Sequence, residues 1–178
     1  MGDTANQFHY YRLTRDDRIV WGGYDAIYHY GSRIKAQWDQ RPETFETLGR
    51  HFFAYFPALE GIRFSHRWGG VIDTSTQFCA FYGTAYDKSV AYALGFTGLG
   101  VAATRFAAQV MLDLLDGATT ERTELGMVRR RPKPFPPEPI RYAGVQATRW
   151  SLARADANQG RRNAWLKLTD AMGLGFDS

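Results

Sequence analysis

Gly95-Phe96-Thr97-Gly98-Leu99-Gly100 runs without a break into Val101-Ala102-Ala103-Thr104-Arg105-Phe106-Ala107-Ala108-Gln109-Val110-Met111-Leu112-Asp113-Leu114-Leu115. The stretch before it alternates like a strand, and the stretch after it has apolar residues at helical spacing. Closely spaced glycines between a strand and a helix let the backbone come near a flat or anionic group. The helix start adds free N–H donors and the positive end of the macrodipole. That combination suits an electron-rich ligand edge. Glycine also serves tight strand-to-helix packing with no ligand at all, so the local chemistry leaves both uses open.

Just upstream, Val90, Tyr92, Leu94 and Phe96 share one strand face, and Ser89, Ala91, Ala93 and Gly95 the other. The small-residue face suits close packing by another element or a ring system. Gln77 to Tyr86 is apolar on both faces, which predicts a strand covered on both sides. Ile62 to Trp68 alternates Ile62, Phe64, His66 and Trp68 with Arg63, Ser65 and Arg67, the pattern of a third strand. Downstream, a helix is predicted from about Leu99 to Asp116, with Thr97 as N-cap and Gly117 as its stop. Its polar stripe is narrow (Arg105, Gln109, Asp113, Asp116), which predicts burial of most of its circumference.

Toward the N-terminus, His9–Thr14 and Arg18–Gly22 flank Arg15-Asp16-Asp17 and read as a hairpin. Residues 24–40 read as a partly buried loop carrying Tyr24, Tyr28, Tyr30 and Trp38. Pro42 to Phe56 reads as a helix with proline in its first turn, closed by Pro57 and Gly61. Toward the C-terminus, five of the seven prolines fall at 132, 134, 136, 137 and 139, the mark of an extended arm over Arg129–Tyr142. Helices over about Ala147–Ala157 and Gly160–Met172 close the chain.

The 178 residues are enough for a core, and 44% hydrophobic with 15% aromatic content fits a globular protein. No apolar run reaches a membrane span, and the first residues lack the order of a signal peptide. A single cysteine, Cys79, excludes an internal disulfide and fits a reducing compartment, so a cytoplasmic location is expected. The net charge of +4 comes with 18 arginines and 4 lysines. They are dispersed, apart from Arg129-Arg130-Arg131, whereas phosphate-tracking surfaces cluster their charge. No nucleic-acid partner is expected.

No two of His9, His29, His51 and His66 have ligand spacing, and no metal site is expected. The chain has no Gly-x-Ser-x-Gly elbow, no Walker A motif and no Gly-x-Gly-x-x-Gly after a first strand. Nothing in it is suited to the rest of a dinucleotide. Arg67 and Trp68, before Gly69-Gly70, read either as a surface cation with a core aromatic or as a cleft wall. Cys79 reads as a small apolar residue and the proline arm as a structural strap.

The order of four stretches carries a resemblance: Phe8-His9-Tyr10-Tyr11-Arg12-Leu13-Thr14; Trp21-Gly22-Gly23-Tyr24-Asp25; Arg63-Phe64-Ser65-His66-Arg67-Trp68-Gly69-Gly70-Val71-Ile72-Asp73; and Gly95–Gly100 before an apolar helix. The chain resembles the C-terminal half of an FAD-dependent oxidoreductase of the D-amino acid oxidase superfamily, on the branch of glycine, sarcosine and gamma-glutamylputrescine oxidases. The likeness runs from about Ala5 to Ser178.

The resemblance implies an α+β class and a partial flavoprotein fold. A substrate-domain sheet and helix would occupy 8–76, the strand, glycine turn and helix of the FAD domain 77–117, and the proline arm with C-terminal helices 118–178. It implies a partial FAD site at Gly95, Thr97, Gly98, Leu99, Gly100 and Val101, with Gly98 to Val101 turned to the flavin pyrimidine edge. Arg67 and Trp68, on the cleft-wall reading of the residues themselves, are the candidate substrate contacts. The implied chemistry is hydride transfer from a C–N bond to flavin, with reoxidation usually by oxygen.

Three positions depart from the family pattern. Leu99 stands where many members have histidine, Ala102 where sarcosine-type members have a carboxylate-binding lysine, and Ile72 where glycine-oxidase-type members have arginine. These departures favour an amine or larger substrate over a free α-amino acid. An N-terminal half, or an upstream gene product, with the Gly-x-Gly-x-x-Gly turn would be the partner, and the chain alone is expected to be inactive. A non-catalytic interaction module on the same scaffold, and an Arg-rich nucleic-acid binder, are the competing readings.

Overall fold

A computed structural model describes residues 1–24 and 26–174. Asp25 of the second resemblance stretch, and the last four positions of the likeness, lie outside the described residues. In chain order the elements are β1 (His9–Leu13), β2 (Ile19–Gly23), α1 (Pro42–Tyr55), β3 (Phe81–Ala85), β4 (Val90–Leu94), α2 (Gly100–Asp116), α3 (Glu121–Glu124), α4 (Gly126–Arg129), α5 (Ile140–Ala157) and α6 (Ala164–Ala171). Short 3-10 turns lie between β2 and α1 and again after α1. The class is α+β, with two antiparallel two-stranded sheets. The chain divides into two compact units, residues 1–71 with the described residues from 137 onward, and Ile72–Pro136.

In the first unit, β1 and β2 pair from His9↔Gly23 to Leu13↔Ile19, the hairpin the sequence predicts. Thr14 closes its turn through its hydroxyl on Asp16 at 2.6 Å and its N–H on the Arg18 carbonyl at 2.8 Å. Gly23 has φ +112, and a Cβ there would stand 2.3 Å from the Phe8 carbonyl oxygen, so only glycine fits. α1 begins at Pro42, whose missing N–H is no loss in a first turn. It buries Phe52 against Trp21, Phe56 and Phe64, with ring centroids 5.2–5.7 Å apart. The Trp21 indole N–H donates to the Leu48 carbonyl at 3.0 Å, which satisfies the polar atom of this aromatic core.

α5 and α6 share a second small core of Leu152, Ala155 and Leu166, with Trp165 packed against it. Asn163 caps α6 by accepting the Leu166 N–H. α5 starts at Ile140, seven residues before the sequence-predicted position, so the arm ends at Pro139 rather than Tyr142. Glu138 makes the difference. Its carboxylate accepts the Tyr142 N–H at 2.9 Å in the helix's first turn, the Tyr28 hydroxyl at 2.5 Å and the Gly31 N–H at 2.9 Å, with the Arg141 guanidinium 3.2 Å away. Burial acts to raise its pKa, but these donors outweigh it and hold the carboxyl at about 2.

A depressed carboxyl contributes stability that is present above its ordinary value and lost as pH falls through the folded one. Contact between residues 28–31 and α5 should therefore weaken between about pH 4.5 and about pH 2. Glu138→Gln should weaken it at neutral pH as well. Hydrogen exchange at the Gly31 and Tyr142 amides reads both effects.

In the second unit, β3 and β4 pair from Phe81↔Leu94 to Ala85↔Val90 around a turn with positive φ at Tyr86, Asp87 and Lys88. Both strands are shorter than the sequence pattern suggests. Ala80, Tyr82, Ala107, Val110 and Val128 form the core, where the hairpin, α2 and α4 meet. Gly117 ends α2 at φ +66, as predicted. Asp113 accepts the Thr120 hydroxyl and two Arg122 N–H bonds, which fasten α3 to α2.

Three expectations are corrected here. Ile62–Trp68 is not a strand: residues 62–73 carry no regular structure and 61–74 are all exposed. Alternation specifies two faces, but no neighbouring strand pairs with this segment among the described residues. Secondly, α2 buries only Ala107 and Val110, while Val101, Leu112 and Leu115 are exposed, because its neighbours are one hairpin and the short helices α3 and α4. Thirdly, Thr97 is not the N-cap. Leu99 holds that position without a side-chain bond, and the Thr97 hydroxyl turns back to the Gly95 carbonyl at 3.0 Å.

Candidate functional site

The glycine turn lies in the second unit, between β4 and α2. Asp73 holds it from below. Its carboxylate accepts the Gly95 N–H at 2.6 Å, and its carbonyl accepts the Thr97 N–H at 2.9 Å. A single bridge, Thr74↔Phe96, continues that pairing. Gly95 is buried at φ +71, and a Cβ there would meet the Ser75 Cβ at 2.9 Å and the Phe81 ring at 3.0 Å. Thr97 and Gly98 also have positive φ, +52 and +82, so three of four consecutive residues curl the backbone left-handed before the helix.

The amides divide into two groups. Those of Gly95, Thr97 and Leu99 bond inside the turn, the last to the Phe96 carbonyl at 2.9 Å. Those of Gly98, Gly100, Val101 and Ala102 meet no acceptor among the described residues. Gly98, Leu99, Val101 and Ala102 are exposed and Gly100 is half-buried. An added Cβ at Gly98 or Gly100 would come no nearer than 3.7 Å to its surroundings. The result is an open row of N–H donors at the positive end of a 17-residue helix. Such a row can hold an anionic or carbonyl-rich edge and stabilise charge that develops on it. Asp73 is the residue sequence reading gave no role. It stands in the quoted stretch before the turn, and its bond spans 22 residues that share no periodicity.

Arg67 and Trp68 lie in the first unit, on the irregular segment after α1. The Arg67 guanidinium sits 5.4 Å from the Phe45 ring centroid, a cation–π contact. Trp68 is 66% exposed, which rules out the core-tryptophan reading. Gly69 passes so close to the Asp39 backbone that a Cβ would stand 2.8 Å from its carbonyl oxygen. The same unit holds an open cleft of about 470 Å³ beside Tyr28, His29, Trp38, Arg41 and Tyr142, lined by none of the candidate site residues. His29 and Trp38 stack there at 3.6 Å. Cys79 is half-buried. Among the described residues no group of three or more His, Cys, Asp or Glu is placed to hold a metal ion. No helix among them is long and apolar enough to cross a membrane.

Residues 2–114, more than half of the chain, match the family described as FAD dependent oxidoreductase. The gamma-glutamylputrescine oxidoreductase of Escherichia coli (strain K12) is 31% identical over 109 residues, a stretch that covers 61% of this chain and 23% of that relative. The chain thus aligns with less than a quarter of the curated relative's length. No solved structure matches.

Proposed function

The chain belongs to the FAD-dependent oxidoreductase family, and on that footing we propose that it forms the C-terminal portion of an enzyme oxidising the C–N bond of an amine or amino-acid-like substrate. The row of amides at the start of α2 carries this reading. Gly98, Gly100 and Val101 would donate to the pyrimidine edge of the flavin, and Gly95, Thr97 and Leu99, whose own N–H groups are engaged, would set the shape of the turn. These residues fit one edge of the cofactor and no more, which is a partial site. When bound, FAD supplies the acceptor for the hydride leaving the substrate carbon. The chain's part is to hold the edge where negative charge accumulates and stabilise it with the helix terminus.

Arg67 and Trp68 are the proposed substrate contacts. Ala102 and Ile72 supply no cation for a free α-carboxylate, which supports an amine substrate. The exposed apolar side chains of α2, Val101, Leu112 and Leu115, support a partner polypeptide carrying the Gly-x-Gly-x-x-Gly turn. The visible spectrum after FAD addition tests the proposal. The chain alone should leave the flavin bands as in free solution. Together with a polypeptide bearing the Gly-x-Gly-x-x-Gly half, it should shift and structure them. If the joint sample shows only free flavin, the proposal fails.

A further inference from the structure

We propose that His9 and His51 form a one-proton latch that holds the leading segment, residues 1–7, against the β1–β2 hairpin and α1, and that the latch opens in mild acid. His9 is buried, 5% exposed, and cannot turn. Its ring lies between the Trp21 indole at 4.7 Å and the Tyr24 ring at 5.6 Å, within 13° and 3° of parallel. Both ring nitrogens are engaged. Nδ1 stands 2.7 Å from the Asp3 carboxylate, and Nε2 stands 3.0 Å from Nδ1 of His51 on α1.

Asp3 is the anchor of the leading segment. Its carboxylate also accepts the Tyr55 hydroxyl at 2.7 Å and the N–H groups of Ala5 and His9 at 3.2 Å each. Burial acts to raise its pKa, and these donors together bring it below the ordinary carboxyl range. Asp3 is therefore a carboxylate at neutral pH, and the nitrogen facing it, His9 Nδ1, carries a hydrogen. The segment pairs with β1 through the bridge Gly2↔Tyr10 and the bonds Asp3 N–H to His9 carbonyl and Tyr11 N–H to Met1 carbonyl. Farther along, Asn6 and Gln7 bond the Asp156 carboxylate of α5.

Hydrogen bookkeeping then limits the pair to a single added proton. With both rings neutral, His51 Nδ1–H donates to His9 Nε2. With one proton added, the pair shares it across the N–H···N bond, and the His9 Nδ1–H still donates to Asp3. With a second proton added, both facing nitrogens carry hydrogen at 3.0 Å, so the bond is lost and two cations abut. The charged and titratable neighbours reinforce this limit. Arg50 on α1 is a further cation beside His51. Tyr24 and Tyr55 face the pair as rings, the Tyr55 hydroxyl has its pKa raised by its bond to Asp3, and Asp3 reaches only the far side of His9. Burial first, then the His9 and Arg50 charges, lower the His51 pKa.

The sign follows from linkage. A histidine depressed in the closed state binds more protons once released, so the closed state loses stability as pH falls below about 6.5. Asp3 adds a separate loss at lower pH, below about 4, because its folded value is also depressed.

Hydrogen exchange on the full chain, corrected for intrinsic rates, tests the latch. Protection of the Asp3 and Tyr11 amides should fall about tenfold from about pH 7.5 to about pH 5.5. His51→Asn keeps a donor toward His9 Nε2 but does not titrate, and should hold that protection flat. Flat protection in the unmodified chain, or an equal fall in the variant, overturns the proposal. Imidazole nitrogen NMR of the unmodified chain decides independently of how the variant folds. One proton should enter the pair well before a second, and two independent titrations near about 6.5 would overturn it.

Discussion

Gly95→Ala is expected to destabilise the second unit by about 2–5 kcal/mol, from left-handed strain on a residue with a Cβ and from overpacking. The two contributions share one cause. Gly95 must turn left-handed to direct its N–H at the Asp73 carboxylate, and that turn brings its own α-carbon against Ser75 and Phe81. The neighbours cannot yield cheaply. Ser75 is buried with its hydroxyl on the Cys79 carbonyl, and Phe81 is half-buried in β3 with its ring against that of Tyr92. Gly100→Ala is the control. It has an ordinary φ, sits at a helix start and would make its nearest contact at 3.8 Å, so it should cost little. Hydrogen exchange resolved over residues 73–117 reads both variants. Equal protection in the two would sink the steric account of position 95.

The same turn separates a glycine that serves the fold from one that faces solvent. Gly98→Ala meets no atom closer than 3.7 Å, so its cost is confined to φ strain of about 1 kcal/mol. If the amides beside it hold a flavin edge, an added methyl on that open surface should weaken the perturbed flavin spectrum of the joint sample more than it weakens the fold. Gly95→Ala should damage both together.

Periodic features of the chain were legible in the sequence. Phe45, Leu48, Phe52 and Phe56 at helical spacing located α1. Alternation around Arg15-Asp16-Asp17 located the first hairpin, and the glycine-to-helix transition located α2 to within one residue of its start. Features that depend on a second segment were not legible. Ile62–Trp68 alternates perfectly well, yet a strand needs a neighbour, and alternation carries no information about one. The proline run concealed the start of α5 because the signal that opens the helix is Glu138, whose partners Tyr28 and Gly31 lie more than 100 residues away. Asp73 and the His9–His51 pair escaped for the same reason. Helical ligand spacing is a local pattern, whereas these two histidines meet across 42 residues through a strand and a helix.

Phe52→Ala should have the largest effect in the first unit, a loss of about 3–5 kcal/mol from lost burial and the cavity left behind. Phe52 is 1% exposed and is the aromatic that Trp21 of β2, Phe53 and Phe56 around the end of α1, and Phe64 of the following segment all touch. No other side chain is placed to fill the space, because each neighbour is a ring fixed by its own contacts. Phe52→Leu keeps most of the volume and should cost clearly less. The change should also spread along the chain. Phe64 rests on Phe52 and Phe53, and three residues on Arg67 rests on Phe45, so the exposed segment carrying Arg67 and Trp68 is positioned by side chains of α1 rather than by strand pairing. Denaturant unfolding followed by tryptophan fluorescence measures the stability loss, and a red shift of native-state emission would report loosening around Trp21. If the chemical shifts of residues 62–68 stay at their wild-type values in Phe52→Ala, something other than α1 positions Arg67 and Trp68, and the proposed substrate wall loses its physical basis.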